Sequence, residues 1–509
     1  MQRRQFLANG AFGVGAVVVA PRVWRAAKHQ GAVPGTGPYG SIEAAVPDAN
    51  GLLLPEGFTS RVIATSDQAV GDTGYTWHVF PDGGATFATD DDGWIYVSNS
   101  EAVLPGTGGV SAVRFDSGGE ITDAYRILGD TAINCAGGPT PWGTWLSCEE
   151  FDWHGNAAAT AAFGSVAGRV YETDPTGVAE ARVLPAMGLF QHEAAAVDPV
   201  HEVVYLTEDQ ADGRLYRYTP TSYPDLGSGT LEAAVIDGEQ VSWVEVPDPS
   251  AADLPTKDQV PGATVFAGGE GIWYSEGTVV FTTKRDNRVH AIDTAAQTYR
   301  VIYDAEVAQG AALRGVDNIT VEEGSGDLFV AEDGDDMQVV IITPEGEVAP
   351  FAQVTGHENS EITGPAFSPD GTRLYFSSQR GTDGNGITYE VTGPFRGAQV
   401  EDPDASTTTV VASLDAAASA GDGGDPPEED PVSERDDGPP MALFGALAAG
   451  AVVAAGAALA ARRNRPEGEG QSTDDPESSG EPGSGEPGSG EPGSGEPDSG
   501  TTDPREKKR

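Results

Sequence analysis

One short pattern constrains this chain more than any other: an apolar strand that ends in polar or acidic residues and returns six times. The copies are Ile95-Tyr-Val-Ser-Asn-Ser-Glu101, Thr144-Trp-Leu-Ser-Cys-Glu-Glu150, Val204-Tyr-Leu-Thr-Glu-Asp-Gln210, Val280-Phe-Thr-Thr-Lys-Arg-Asp286, Leu328-Phe-Val-Ala-Glu-Asp-Gly334 and Leu374-Tyr-Phe-Ser-Ser-Gln-Arg380, spaced by about 46 to 76 residues. A connection bearing Gly or Asn follows each copy, and then a second strand: Val110 to Phe115, Arg169 to Glu172, Arg214 to Tyr218, Arg288 to Ile292, Gln338 to Ile342 and Ile387 to Val391. Turn signals such as Asp82-Gly83, Asp92-Gly93, Pro175-Thr176-Gly177, Pro344-Glu345-Gly346 and Asp370-Gly371 separate β-branched and aromatic runs, with almost no helical periodicity. Six hairpins in a row would expose strand edges to other chains, and radial closure hides them. The pattern therefore predicts an all-β fold, a six-bladed β-propeller over residues 45–396. Two β-sandwiches are the competing arrangement.

In a propeller, equivalent strands end on the same face around the central channel, so the repeat endings are expected to converge. They carry Glu149 and Glu150, Glu208 and Asp209, and Glu332 and Asp333, to which loops add Glu193, Glu270, Asp317 and Glu361. Carboxylates gathered in one mouth repel one another unless cations neutralise them, and calcium takes about six to eight such oxygens. The alternative is an ordinary solvated acidic surface. His192-Glu193 and Asn134-Cys135 stand apart from the charged runs, and a thiolate among carboxylates favours a transition metal such as iron over calcium alone. Cys135 read by itself is equally a small buried hydrophobe. With Cys148 it makes two cysteines in the chain, and a bond between them and a free ligand thiol both stay open. Serine hydrolase, zincin and phosphate-loop motifs are absent.

Formal net charge is -50, from 79 acidic and 29 basic residues, which excludes a nucleic-acid backbone as partner and favours cations. So acidic and Lys-poor a composition fits life in high salt, where screening makes self-repulsion tolerable.

The two ends read differently from the middle. Residues 1–30 open with Arg3-Arg4-Gln5-Phe6-Leu7 and a weakly apolar stretch, the pattern of a twin-arginine export signal, whose partner is the twin-arginine translocase. Residues 397–440 form an acidic stalk without apolar periodicity, expected to be disordered. Residues 441–461 carry no charge and are long enough to cross a hydrocarbon core as one transmembrane helix. Arg462, Arg463 and Arg465 follow, so the positive-inside rule places the folded part outside the cell, anchored at its surface; a cleaved sorting signal is the alternative. Residues 462–509 are a low-complexity tail.

The run Asn134-Cys135-Ala-Gly-Gly-Pro-Thr-Pro-Trp-Gly-Thr-Trp-Leu-Ser-Cys148-Glu149-Glu150 resembles the signature of PhoX-type alkaline phosphatases. Gln191-His192-Glu193-Ala194, Leu206-Thr-Glu208-Asp209, Val316-Asp317-Asn318, Ala331-Glu332-Asp333-Gly334 and Ser360-Glu361-Ile-Thr-Gly-Pro365 extend the similarity over roughly Leu54 to Phe395. The resemblance implies a propeller whose channel mouth holds ferric and calcium ions and hydrolyses a small phosphorylated substrate outside the cell. It implies Cys135 and Glu193 as iron-side ligands, with Glu149, Glu208, Asp209, Glu270, Asp317 and Glu361 as the other oxygen donors; Asn134 and Lys284 are the candidate catalytic residues. One departure stands out: where the family carries Arg-Pro-Glu-Trp, this chain has Gly268-Gly269-Glu270-Gly271-Ile272-Trp273. A guanidinium there would grip the phosphate bidentately. Lys284, Arg285 and Arg380 are the cations placed to substitute. A calcium-dependent lactonase on the same scaffold and a non-catalytic binding propeller are the competing functions.

Overall fold

The computed structural model describes residues 32–398, apart from 105, 153–167, 309, 311 and 335. Each of the six predicted hairpins forms, and each gains a strand on either side. The added inner strands are Pro81–Ala88, Asn134–Pro139, His192–Asp198, Gly269–Ser275, Val316–Glu322 and Ile362–Phe367. The hairpins follow them as Trp94–Ser100 with Gly108–Phe115, Trp145–Glu149 with Val170–Thr173, Val203–Glu208 with Leu215–Ser222, Thr278–Thr283 with Arg288–Asp293, Asp327–Glu332 with Gln338–Ile342, and Arg373–Ser378 with Ile387–Thr392. All of these pairings are antiparallel.

The strands lie in five hydrogen-bonded sheets, one of nine strands, in which two runs are joined through the single pair Gln240↔Thr298. Two short 3-10 turns, Pro185–Met187 and Thr256–Asp258, are the helical structure among the described residues. The fold is all-β and propeller-like. The inner strands pack side by side in a cycle, Pro81–Ala88 against Asn134–Pro139, on through the others in chain order, and Ile362–Phe367 back against Pro81–Ala88. The last sheet takes its outer strand, Thr59–Thr65, from the beginning of the described chain, so the two ends of the ring are held by backbone hydrogen bonds. Between neighbouring sheets the core is apolar; one part of it clusters Phe58, Phe329, Phe351 and Phe395. That is why Trp94–Ser100, Val203–Glu208, Thr278–Thr283 and Asp327–Glu332 are buried at every residue and show no polar alternation.

Inner strands crowd towards the axis, and their sequences are correspondingly small. A Cβ on Gly83 would lie 2.5 Å from the Cα of Ala136, and one on Gly364 would lie 2.6 Å from the carbonyl oxygen of Asp82. Asp82-Gly83, expected as a turn, therefore sits inside strand Pro81–Ala88, its glycine required by the neighbouring backbone rather than by a reversal. Asp92-Gly93 and Asp370-Gly371 do lie between strands, with Asp92 at φ 61° and Gly371 at φ 71°.

All described residues fall within the compact unit Met1–Ala457. The expected export signal, stalk, transmembrane segment and tail lie outside the described residues, save the two residues 397–398 at the start of the stalk. Among the described residues no helix is long and apolar enough to cross a membrane.

Candidate metal centre

Every inner strand breaks register with its partner at the same point, where three steps on the inner strand match two on its neighbour. The breaks fall at Pro81/Gly84, Asn134/Gly137, His192/Ala195, Gly269/Ile272, Val316/Ile319 and Thr363/Ala366. An extra residue of this kind bends the strand and re-aims a side chain. The residues so placed are Asp82, Cys135, Glu193, Glu270 and Asp317, with Gly364 in the sixth strand. Just beyond the partner strands come Glu101, Glu150, Asp209, Lys284 and Asp333, and after the last come Gln379 and Arg380. The repeat thus builds two tiers of donors at one end of the ring.

Eight carboxylates and one thiol there fall into four overlapping groupings: Glu101 with Cys135 and Glu150; Asp82 with Glu101 and Glu361; Glu193 with Glu270 and Asp317; and Asp317 with Asp333 and Glu361. Within each, one donor atom per residue lies within 4.8 Å of the others. Cys135 is buried and unbonded to Cys148, and its Sγ stands 3.3 Å from Glu193 Oε1. Asn318 is clamped by the Gly364 N–H donating to its Oδ1 at 2.7 Å, and its amide donates to Asp317 Oδ1 at 3.0 Å and to Glu193 Oε1 at 3.4 Å. The Gln379 amide donates to Asp82 Oδ2 at 2.5 Å and to Glu101 Oε2 at 2.8 Å. Two basic side chains enter the cluster. Lys284 Nζ lies 2.8 Å from Asp317, 3.1 Å from Asp333 and 3.3 Å from Glu270. Arg380 lies 3.0 Å from Glu361 and 3.9 Å from Glu101.

Burial sets the charge state. It pushes the Asp82 carboxyl well above its ordinary range, and Glu101 and Glu361 push it further. Glu193 is raised likewise by burial and then by Glu270 and Glu150. Burial lifts Glu361 to about 8 despite Arg380 beside it. The Cys135 thiol rises for the same reason, with Asp82 and Glu193 adding to the burial. Charges of one sign stripped of water cost several kcal/mol each unless something of opposite sign sits among them. This arrangement suits bound cations.

Of the residues expected from the sequence, Cys135, Glu193, Glu270, Asp317 and Glu361 come together in these groupings, and Lys284 reaches into them. Asp209 is buried at the same end but outside the groupings. Glu149 and Glu208 turn the other way. Glu149 accepts the backbone N–H of Ala132 at 3.3 Å and of Arg169 at 3.2 Å. Glu208 accepts the N–H of Arg214 at 3.0 Å and the Tyr216 hydroxyl at 2.9 Å. Burial raises both to about 7. Asn134 is enclosed by Thr131 and Ser147, one residue from the thiol. Asp82 and Glu101 were not among the expected ligands; the signals for them were a supposed turn and the acidic end of the first repeat.

A family model described as alkaline phosphatase PhoX matches residues 96–301 and 293–381, more than half of the chain. The chain belongs to the PhoX alkaline phosphatase family. All nine clustered residues except Asp82 lie within the PhoX match. Among solved structures, Pseudomonas fluorescens PhoX in complex with vanadate, a transition state analogue, is 18% identical with a TM-score of 0.57, covering 69% of this chain and 97% of that one. At that identity the likeness speaks for the fold. A gluconolactonase from Xanthomonas campestris is 13% identical with a TM-score of 0.37, covering 66% of this chain and 89% of that one. No curated protein matches the sequence.

Proposed function

We propose that this PhoX-family chain is an exported, metal-dependent phosphatase that hydrolyses phosphate mono- or diesters. Its propeller is read as six-bladed, on the support of six inner strands packed in a cycle. The site is read as a calcium and ferric iron centre. The observation that carries the metal reading is Glu193: it is fully buried, its Oε2 has no hydrogen-bond partner, and its other oxygen faces a thiol. An orphaned carboxylate oxygen in such a place costs about 1–3 kcal/mol or more unless a cation fills the gap. Cys135, with Glu101, Glu150 and Glu193 around it, offers the softer donor that suits iron. Asp82 with Glu101 and Glu361 offers oxygen alone, which suits calcium.

Clustered cations bound there would hold phosphoryl oxygens and stabilise the charge that grows on them in the transition state. The chain's own residues prepare that setting. Asn318 and Gln379 hold Asp317, Glu193, Asp82 and Glu101 in fixed rotations through their amide donors. Gly268 stands where the family arginine would be, and a Cβ there would lie 3.0 Å from the stem of Arg285 and 3.2 Å from Asp209 Oδ1. We assign to Arg285 the grip on the substrate phosphate. Export by the twin-arginine route and surface anchoring belong to the same reading, supported by Arg3-Arg4 and the uncharged stretch 441–461.

The test is elemental analysis of protein purified from an export-competent host, together with hydrolysis of a chromogenic phosphate monoester and its diester. Iron and calcium with ester hydrolysis, both lost in Glu193→Gln, are expected. Calcium without iron, with lactone rather than phosphate ester hydrolysis, would overturn it.

A further inference from the structure

The two basic side chains do not spread evenly over the cluster. Lys284 contacts Asp317 and Asp333, and Arg380 contacts Glu361, so all three members of the Asp317, Asp333 and Glu361 grouping already face a fixed positive charge. Lys284 also reaches Glu270 at 3.3 Å. At the far side, Glu193 keeps an orphaned Oε2 while its Oε1 faces the Cys135 thiol. Lys284 moreover stands at the channel end of its strand, where the equivalent positions carry Glu101, Glu150, Asp209 and Asp333. A donor tier that is acidic after four of the six hairpin first strands is cationic after this one.

We infer that Lys284 is a built-in cation that takes the place of one metal ion: the Asp317, Asp333 and Glu361 grouping is neutralised by Lys284 and Arg380, and metal is confined to the end of the cluster where Cys135, Asp82 and the Glu193 carboxylate stand. The inference rests on the metal reading above. An ammonium is a compact point charge with three donors, and here it stands within 3.3 Å of the Glu270, Asp317 and Asp333 carboxylates. A divalent ion entering between the same oxygens would be pressed against that ammonium and would lose two of its ligands to it. Lys284 and Asp333 are held in place from strand ends, because Thr283 and Glu332 close two buried strands immediately before them. Removing the charge leaves a hole lined by the buried Glu270 and Asp317 and the partly buried Asp333, which a calcium ion fits.

The experiment compares the full chain with its Lys284→Met and Lys284→Arg variants. Each is stripped with chelator, reloaded with calcium and iron, passed through a desalting column and counted by elemental analysis, with melting followed in chelator and in calcium. Lys284→Met is expected to bind one more calcium ion per chain than the wild type and to melt earlier in chelator but not in calcium. Lys284→Arg keeps the charge and is expected to keep the wild-type count. Equal counts in the wild type and a folded Lys284→Met overturn the inference while leaving the metal reading intact, as does a gain of calcium in Lys284→Arg. Absence of bound metal from all three overturns the metal reading, and this inference with it.

Discussion

Adjacent carboxylates in this chain do opposite work. Glu149 and Glu150 are neighbours at a strand end, yet Glu150 lies in the thiol grouping while Glu149 is spent on two backbone N–H groups. Glu149→Gln is therefore expected to lower stability by about 1–3 kcal/mol, because the amide offers one acceptor oxygen where the carboxyl accepts two N–H groups on two oxygens, with metal content unchanged. Glu193→Gln is expected to do the reverse, losing bound metal while the stripped protein becomes no less stable. Melting curves and elemental analysis on the two variants separate these outcomes. Alternation along a strand makes such pairs ambiguous in sequence, since a shift of one residue exchanges the faces. Cys135 and Glu193 were legible because few other residues of their kind occur near them, whereas Asp82 wore the disguise of an Asp-Gly turn.

Protonation follows from the same burial. Asp82 and Glu193 are raised, and Glu361 reaches about 8, so in the metal-free fold they bind protons that the unfolded chain has released. The contribution of Glu361 is complete below its unfolded value of 4.5 and is lost as pH rises through about 8, while those of Asp82 and Glu193, raised in the same direction, are likewise lost as pH rises above their unfolded values of 3.8 and 4.5. His78, His192 and His290 are lowered to about 3 by burial, so their contribution is complete above 6.5 and lost as pH falls towards 3. Between pH 6.5 and 8 only the carboxylates act, and the melting temperature in chelator is expected to fall across that range. Calcium, which favours the ionised carboxylates, is expected to abolish the fall. An alkaline limb identical with and without calcium would count against the metal centre.

At the scale of elements, the hairpins were readable and the inner strands were not. Hairpin strands such as Leu328 to Glu332 announce themselves by β-branched and aromatic residues. The inner strands read Asn134-Cys-Ala-Gly-Gly-Pro139 or Ile362-Thr-Gly-Pro-Ala-Phe367, a composition that ordinarily signals loops. Crowding at the axis is the reason for it. A Cβ at Gly138 would fall on the carbonyl oxygen of Ala195 in the neighbouring sheet, and Gly138→Ala is expected to cost about 1–3 kcal/mol or more. Gly118→Ala, in an exposed turn, is expected to stay within about 0.5 kcal/mol of wild type. Thermal or denaturant unfolding of the pair measures the difference.

For the molecule as a whole, charge and closure decide behaviour. A net charge of -50 implies self-repulsion that salt relieves, the screening length falling from about 10 Å at 0.1 M to about 3 Å at 1 M. The melting temperature is expected to rise steadily with sodium chloride up to molar concentrations; a flat response would remove the case for a high-salt habitat. The alternation of strands, the all-β class, the six hairpins and the family were all present in the sequence, because strand propensity, turn chemistry and a long motif are local properties. Which of two neighbouring glutamates faces the channel, why Asp82 joins the cluster, and that Lys284 and Arg380 stand among the carboxylates were decided only by the tertiary structure. Those facts depend on register, on one extra residue in each inner strand, and on sheets far apart in sequence meeting at a common axis.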